Sequence, residues 1–309
     1  MAEEPFYEFS AVCDTKTRFR NGEAYSGGEV LMKMTRDPPA NVLARVHNSN
    51  ELMRLLHYLH GAPTGSVQTV CIPYLPYARQ DRPTDKGTHN AVEVLGSLLA
   101  TTGVSNFLTF DVHSSASVTA FAKAGLTLES RPSNVLIDGY LAELESRGII
   151  DRSKVALVVP DKGGKAREKE QQAALASGRA IEVPIVHCDK VRDLSGRITN
   201  ISLETDTSPA ELAPGTAIFI VDDICDGGAT FEGAARVLKE NYPNVASECT
   251  MHLWVTHGIF SRGLDSLLTT GDGSFNTIGC SDSFTPFCDP CEQLVIVPVS
   301  RAIEVASIL

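Results

Sequence analysis

The sequence predicts an α/β protein of two tandem domains, each with a central parallel sheet flanked by helices. Three observations carry that prediction. Short unbroken apolar runs, Val155–Val159 and Ala217–Val221 among them, have the pattern of strands buried on both faces. They alternate with helix-like stretches, the order that builds helix-covered parallel sheets. The alternation then starts afresh midway, so that 309 residues divide into 1–146 and 147–309, joined near Arg147–Ser153.

In chain order, Tyr25-Ser26-Gly27-Gly28-Glu29 reads as a glycine turn into a strand over 30–34. Asn48 or Ser49 caps a helix with Leu52, Leu55, Leu56 and Leu59 on one face. Val67–Ile72 is the next strand, Asn90–Ala100 a helix burying Val92, Leu95, Leu98 and Leu99, and Asn106–Val112 a strand. Asn134–Ser146 is a helix, Val155–Val159 a strand, and the loop Pro160–Arg167 leads into a helix through Ala174. Ile181–Val186 is a strand, His187–Leu203 a hairpin arm, and Cys249–Val255 and Leu294–Val297 are strands. A last helix towards Leu309 could pack back on the first domain.

Chemistry-bearing residues gather after the strands. Two prolines with aromatic neighbours stiffen Pro73–Arg82, where Arg79, Gln80 and Arg82 offer donors for a phosphate or a purine edge; a charged surface loop is the plainer reading. In Asp111-Val112-His113, strand alternation points Asp111 and His113 the same way, towards a phosphate-bound Mg²⁺. In the arm, an extended backbone projects Lys190 and Arg192 to one side, as in a mobile flap or a plain solvated hairpin.

The most specific stretch is Ala217–Leu238. Asp222, Asp223 and Asp226 follow the apolar run, and Gly227-Gly228-Ala229-Thr230 opens a helix with Ala234, Val237 and Leu238 on its inner face. Small residues let backbone N–H groups close around an anion, the helix N-terminus favours negative charge, and Thr230 adds a hydroxyl. The leading carboxylates repel a bare phosphate but accept hydrogen bonds from vicinal ribose hydroxyls. The unit therefore reads as a holder for a sugar with a 5′-phosphate.

A net charge of −11 excludes a generic nucleic-acid surface. Met-Ala-Glu-Glu-Pro is no signal peptide, and no apolar run approaches the roughly 20 residues that span a bilayer, so a cytoplasmic protein without membrane attachment is expected. Of eight cysteines only Cys288 and Cys291 form C-x-x-C, without a second pair to complete a zinc site.

With these pieces in order, the chain resembles the ribose-phosphate pyrophosphokinase family over nearly its full length, through Tyr77–Arg82, Asp111-Val112-His113, Val221–Thr230 and Thr256–Ser261. The resemblance implies two tandem type I phosphoribosyltransferase-like domains, the first on the ATP side and the second on the sugar-phosphate side. It implies homodimers or homohexamers and Mg²⁺-dependent transfer of the diphosphoryl group of ATP to the 1-hydroxyl of ribose 5-phosphate. Carried over, Arg79, Gln80, Asp81 and His113 contact ATP, and His113 and Asp161 hold Mg²⁺. Lys190 and Arg192 act on the transferred phosphates, and Asp222, Asp223, Asp226, Gly227, Gly228, Ala229 and Thr230 hold the sugar phosphate. Tyr25, Gly28 and Glu29 match the segment that reaches a neighbouring subunit's adenine, with Phe19–Glu23 as a competing match.

Three departures matter. Ser114–Ser117 stands where the family carries Gln and aromatics, Asp193 thins the basic arm, and Gly227 stands where the family has Thr. Gly227 removes a hydroxyl and adds room, which suits a phosphodiester such as ADP-ribose as acceptor; plain ribose 5-phosphate remains the leading reading. A non-catalytic regulator is the remaining alternative, but it would have no need to keep Lys190, Arg192, His113 and Asp161.

Overall fold

The computed structural model describes residues 7–9, 38–83, 86–160, 164–176, 178–179, 181, 183–192, 198–203, 212–242, 244–271 and 273–306. Tyr25, Gly28, Glu29 and Asp161 lie outside them, as do the side chains of Lys190 and Arg192. The chain divides into two compact units, Met1–Arg131 with Ile303–Leu309, and Pro132–Ala302.

The first unit holds β1 (Tyr7–Phe9), β2 (Asn41–Ala44), α1 (Ser49–Gly61), β3 (Thr69–Cys71), α2 (Ala91–Ala100), β4 (Asn106–Phe110), α3 (Ser115–Lys123) and β5 (Thr127–Arg131). Its sheet runs β1-β2-β3-β4-β5 and every pairing is parallel. Each helix carries its own cap. Asn48 accepts from Glu51 N at α1, Asn90 from Val92 N and Glu93 N at α2, and Ser114 from Ala116 N at α3. The leucine stripe of α1 is buried as its period predicts. On α2, Leu98 departs from expectation and is 41% exposed, because Val92, Leu95 and Leu99 already complete the inner face.

The expected strand to Val112 stops at Phe110. Asp111 turns to φ +36°, so alternation no longer relates it to His113. Neither β5 nor α3 announces itself: β5 buries only Leu128, and the inner face of α3 is Ser117, Ala120 and Phe121. Phe121 meets Phe107 edge-on at 5.7 Å, which ties α3 to the sheet.

The second unit contains α4 (Asn134–Ser146), β6 (Val155–Val159), a 3₁₀ turn (Gly164–Arg167), α5 (Glu168–Ala176), β7 (Ile185–Arg192), β8 (Ile198–Leu203), β9 (Ala217–Cys225), α6 (Ala229–Asn241), α7 (Val245–Glu248), β10 (Thr250–Gly258), β11 (Thr277–Ser281) and β12 (Leu294–Val297); α8 (Ser300–Ala306) runs past its end. The sheet order is β12-β11-β10-β9-β6-β7-β8, parallel except for β7 against β8. β6 is buried throughout and β9 over its first five residues, as their apolar runs predict. The arm is indeed a hairpin, with β7 starting at Ile185 rather than Ile181 and its register slipping between Val191 and Arg192.

The units divide earlier than the 146/147 boundary read from sequence. The reason is α4, whose Tyr140 lies in the core of the second unit, edge-on to Phe219 at 6.2 Å and tilted on Trp254 at 5.5 Å. The Tyr140 hydroxyl meets Thr277 Oγ1 at 2.6 Å, so its polar tip is satisfied while the ring is buried. A Cβ at Gly279 would come within 2.7 Å of that ring, which leaves the position to glycine. Among the described residues no helix is long and apolar enough to cross a membrane.

Candidate functional site

The site in the second unit grows from the end of β9. Sequence placed Asp222 and Asp223 just after the strand. They lie within it, because β10 stays paired alongside, Asp222 opposite Val255 and Cys225 opposite Gly258. Asp223 is 4% exposed and Asp222 is part-buried. Carboxylates so placed need a partner, since an unpaired buried charge is costly. Arg167 supplies it, one guanidinium nitrogen lying 2.7 Å from Asp222 Oδ1 and 3.2 Å from Asp223 Oδ1. Asp223 N donates to Asp222 Oδ1 at 2.9 Å and fixes the pair further. Arg167 reaches them because β6, whose following loop carries it, is the direct neighbour of β9. Sequence reasoning passed over Arg167 as a site residue; its signal was a Gly-Gly-Lys-Ala-Arg loop at a strand's carboxyl end.

Beyond Cys225 the chain turns through Asp226-Gly227-Gly228 into α6. Gly228 is the N-cap residue, left-handed at φ +83°, and no side chain caps the helix. A Cβ there would lie 3.0 Å from Leu267 Cδ2, so both backbone and space require glycine. Phe231 N and Glu232 N close the first turn on Gly228 O at 2.9 and 3.1 Å. The earlier N–H groups of the turn, those of Ala229 and Thr230, and the part-buried Thr230 hydroxyl lie at the positive end of the helix dipole. Acidic pair and open helix end therefore stand a few residues apart on one β–α turn.

The stretch Thr256–Ser261 supports this turn from behind. Cys225 O accepts from Ile259 N at 2.9 Å and Phe260 N at 3.2 Å, and Asp226 O accepts from Ser261 N at 3.1 Å. His257 is buried with Nδ1 2.8 Å from Ser283 Oγ, so its place is structural. His252 is likewise in the core, stacked on Phe219 at 5.0 Å between Thr277 Oγ1 at 2.7 Å and Thr250 Oγ1 at 2.9 Å. Burial lowers its pKa to about 3.

In the first unit, the Pro73 carbonyl accepts from Thr109 Oγ1 and Phe110 N, both at 3.2 Å, and pins the proline loop to the end of β4. Tyr77 sits at φ +63°, unusual for a bulky residue, and presents Arg79 and Gln80 to the surface. Asp81 is buried, takes Arg82 Nε at 2.9 Å and accepts from the Ser114 hydroxyl, so the two motifs read separately from sequence are joined. Burial raises its carboxyl pKa, but hydrogen bonds from Arg82 and Ser114 and the charges of Arg82 and His113 outweigh that and hold it below the usual range. A cleft of about 640 Å³ opens beside it, lined by Arg82, His89, Glu93 and Lys123 among others.

His113 is exposed at the start of the α3 loop. Among the described residues no three His, Cys, Asp or Glu side chains gather into a metal site. Cys288 and Cys291 are free thiols, and burial raises the pKa of Cys288.

No family model matches the chain. A curated relative, the ribose-phosphate pyrophosphokinase of Hyphomonas neptunium, is 28% identical over 256 residues, 82% of this chain and 72% of the relative. The protein of the same name from Granulibacter bethesdensis is 28% identical over 286 residues, 90% of this chain and 80% of the relative. Among solved structures, the phosphoribosylpyrophosphate synthetase of Mycobacterium smegmatis superposes with a TM-score of 0.68 at 19% identity, covering 98% of each chain, which shows a shared fold.

Proposed function

We propose that this chain, a relative of the ribose-phosphate pyrophosphokinases, transfers the diphosphoryl group of Mg-ATP to the 1-hydroxyl of ribose 5-phosphate, giving phosphoribosyl diphosphate and AMP. The observation that carries this reading is the β9–α6 turn, where Asp222 and Asp223 precede a helix whose glycine cap leaves its first donors to a ligand. The carboxylates accept from the ribose 2- and 3-hydroxyls, with Arg167 holding them in place. Asp226, Gly227, Gly228, Ala229 and Thr230 surround the 5′-phosphate.

The 1-hydroxyl oxygen forms a bond to the β-phosphorus, the bond from that phosphorus to the α–β bridging oxygen breaks so that this oxygen departs with AMP, and the hydroxyl proton passes to solvent water. Such transfers depend on positioning and on neutralising phosphate charge. Lys190 and Arg192, at the end of β7, would supply cations there, and closing the β7–β8 arm would exclude water. On the ATP side, Arg79 and Gln80 would contact the nucleotide with Tyr25, Gly28 and Glu29 of a neighbouring subunit. Asp81, engaged by Arg82 and Ser114, would position that loop. Mg²⁺ riding on phosphates keeps most of its waters and needs only one or two protein groups. Asp161 would meet it by oxygen and the exposed His113 through water, and the ion would neutralise the phosphate oxygens. A homodimer or homohexamer working in the cytoplasm completes the reading.

A paired assay tests it. Purified protein with Mg-ATP and either ribose 5-phosphate or ADP-ribose is followed by AMP release and product mass. AMP with ribose 5-phosphate is expected. AMP with ADP-ribose alone would replace the acceptor, and AMP with neither would leave a nucleotide-binding regulator.

A further inference from the structure

The room beside Gly227 is taken by another side chain. A Cβ at Gly227 would lie 3.5 Å from Arg262 Nε, 3.6 Å from Cδ and 3.8 Å from Cζ. Arg262 comes from a loop that is itself tied to the phosphate turn. Ile259 N, Phe260 N and Ser261 N donate to the carbonyls of Cys225 and Asp226, and Phe260 adopts φ +51° so that Gly263 N closes on Phe260 O at 2.9 Å. The guanidinium is thus delivered to the bare flank of the loop while remaining solvent-exposed, and no ion pair with Arg262 forms among the described residues.

We infer that Arg262 is a specificity-determining residue of the sugar-phosphate site, selecting a terminal phosphate monoester over a diester; this rests on the sugar-phosphate reading of the β9–α6 turn. A planar guanidinium offers two parallel donors to phosphate oxygens and carries a full charge, where a threonine hydroxyl would offer one neutral donor. A monoester near neutral pH carries close to two charges and has three free oxygens, so it gains more from that cation than a diester with one charge and two. The same side chain occupies the space that a second ester would need. Gly227 and Arg262 act together: without a side chain at 227 the guanidinium lies against the bare loop, where a Cβ would already touch it at 3.5 Å and a larger side chain would compete for the same flank.

The test uses the full chain with Mg-ATP and two acceptors, ribose 5-phosphate and its methyl phosphodiester, followed by AMP release. Wild type should prefer the monoester. R262A should raise KM for ribose 5-phosphate about ten- to a hundredfold, the scale of a lost charge-assisted contact, while kcat and the KM for ATP change little. R262K should recover part of the affinity, and the gap between monoester and diester should narrow in R262A. G227T should raise the same KM, and G227T/R262A should be no worse than the more affected single variant, because both changes remove one contact. An unchanged KM for ribose 5-phosphate in R262A, with an active wild type, overturns the role of Arg262 alone. A wild type that uses both acceptors equally overturns the selectivity. A wild type that releases AMP with neither acceptor overturns the sugar-phosphate reading on which the inference stands.

Discussion

The two units repeat one strand–loop–helix grammar but end their helices differently. In the first unit α1, α2 and α3 each begin at an Asn or Ser whose side chain takes the first free N–H groups. In the second, α6 begins at a left-handed glycine with no side-chain cap. A side-chain cap takes one or two of a helix's four orphan donors, whereas a glycine start takes none of them. The strand ends differ in the same sense. Asp81 in the first unit is met by Arg82 and Ser114, which join its loop to the α3 N-terminus. Asp222 and Asp223 share Arg167, which the loop after the neighbouring strand β6 delivers to them. Motifs that look equally chemical in sequence thus differ in how the fold meets their polar groups.

The largest change is expected from Lys190→Ala: turnover should drop about a hundred- to a thousandfold, the scale of a lost transition-state cation, with ATP binding by calorimetry nearly intact. Weakened ATP binding without a turnover defect would place Lys190 on the nucleotide instead of the transferred group.

Acid should then act on the second unit through His252. Its folded pKa is about 3 against 6.5 for the free side chain, so the folded state keeps it neutral while the unfolded chain takes up a proton. Its contribution is fully present above pH 6.5 and is lost as pH falls towards 3, at up to about 1.4 kcal/mol per pH unit. Trp254, the chain's one tryptophan, lies in the same core and reports the unfolding by fluorescence. Urea midpoints at pH 7 and pH 4.5 should diverge more in wild type than in His252→Gln; equal divergence would show that other groups carry the acid sensitivity.

Gly228→Ala comes next. The left-handed backbone alone costs about 1–2 kcal/mol with a Cβ, before the contact with Leu267, and the loop proposed to receive the phosphate should distort. A raised KM for ribose 5-phosphate with an unaltered KM for ATP is expected, and the reverse pattern would detach the turn from the sugar. The smallest effect is the counterpart in the first unit: Asn48→Ala should cost about 1 kcal/mol of stability and leave both KM values as they are. If that cap also altered the sugar KM, the division between scaffold caps and ligand ends would fail.

How much of this was legible in sequence follows from the range over which each signal acts. The cap of α1, read as Asn48 or Ser49 and found at Asn48, the buried runs of β6 and β9, and the glycine opening of α6 are decided within a few neighbouring residues, and the structure bears them out. Elements whose burial is settled by neighbours were invisible. β5 is a polar edge strand, and β11, Thr-Ile-Gly-Cys-Ser, is wholly buried without an aliphatic run because Tyr140 and Trp254 fill the space over Gly279. The Asp111–His113 pairing failed because it assumed an extended chain where the backbone turns at φ +36°.

By itself, then, the sequence determined the α/β class, the repeated grammar, and an acidic strand end followed by a glycine-opened helix, because periodicity, capping and turn chemistry are local. Only the tertiary structure decided which distant side chains answer those groups. Arg167 meets Asp222 across 55 positions, Ser114 meets Asp81 across 33, and Arg262 settles against Gly227. Such partners are chosen by which strands lie side by side and which loops they deliver, and strand order is set by the packing of the whole sheet.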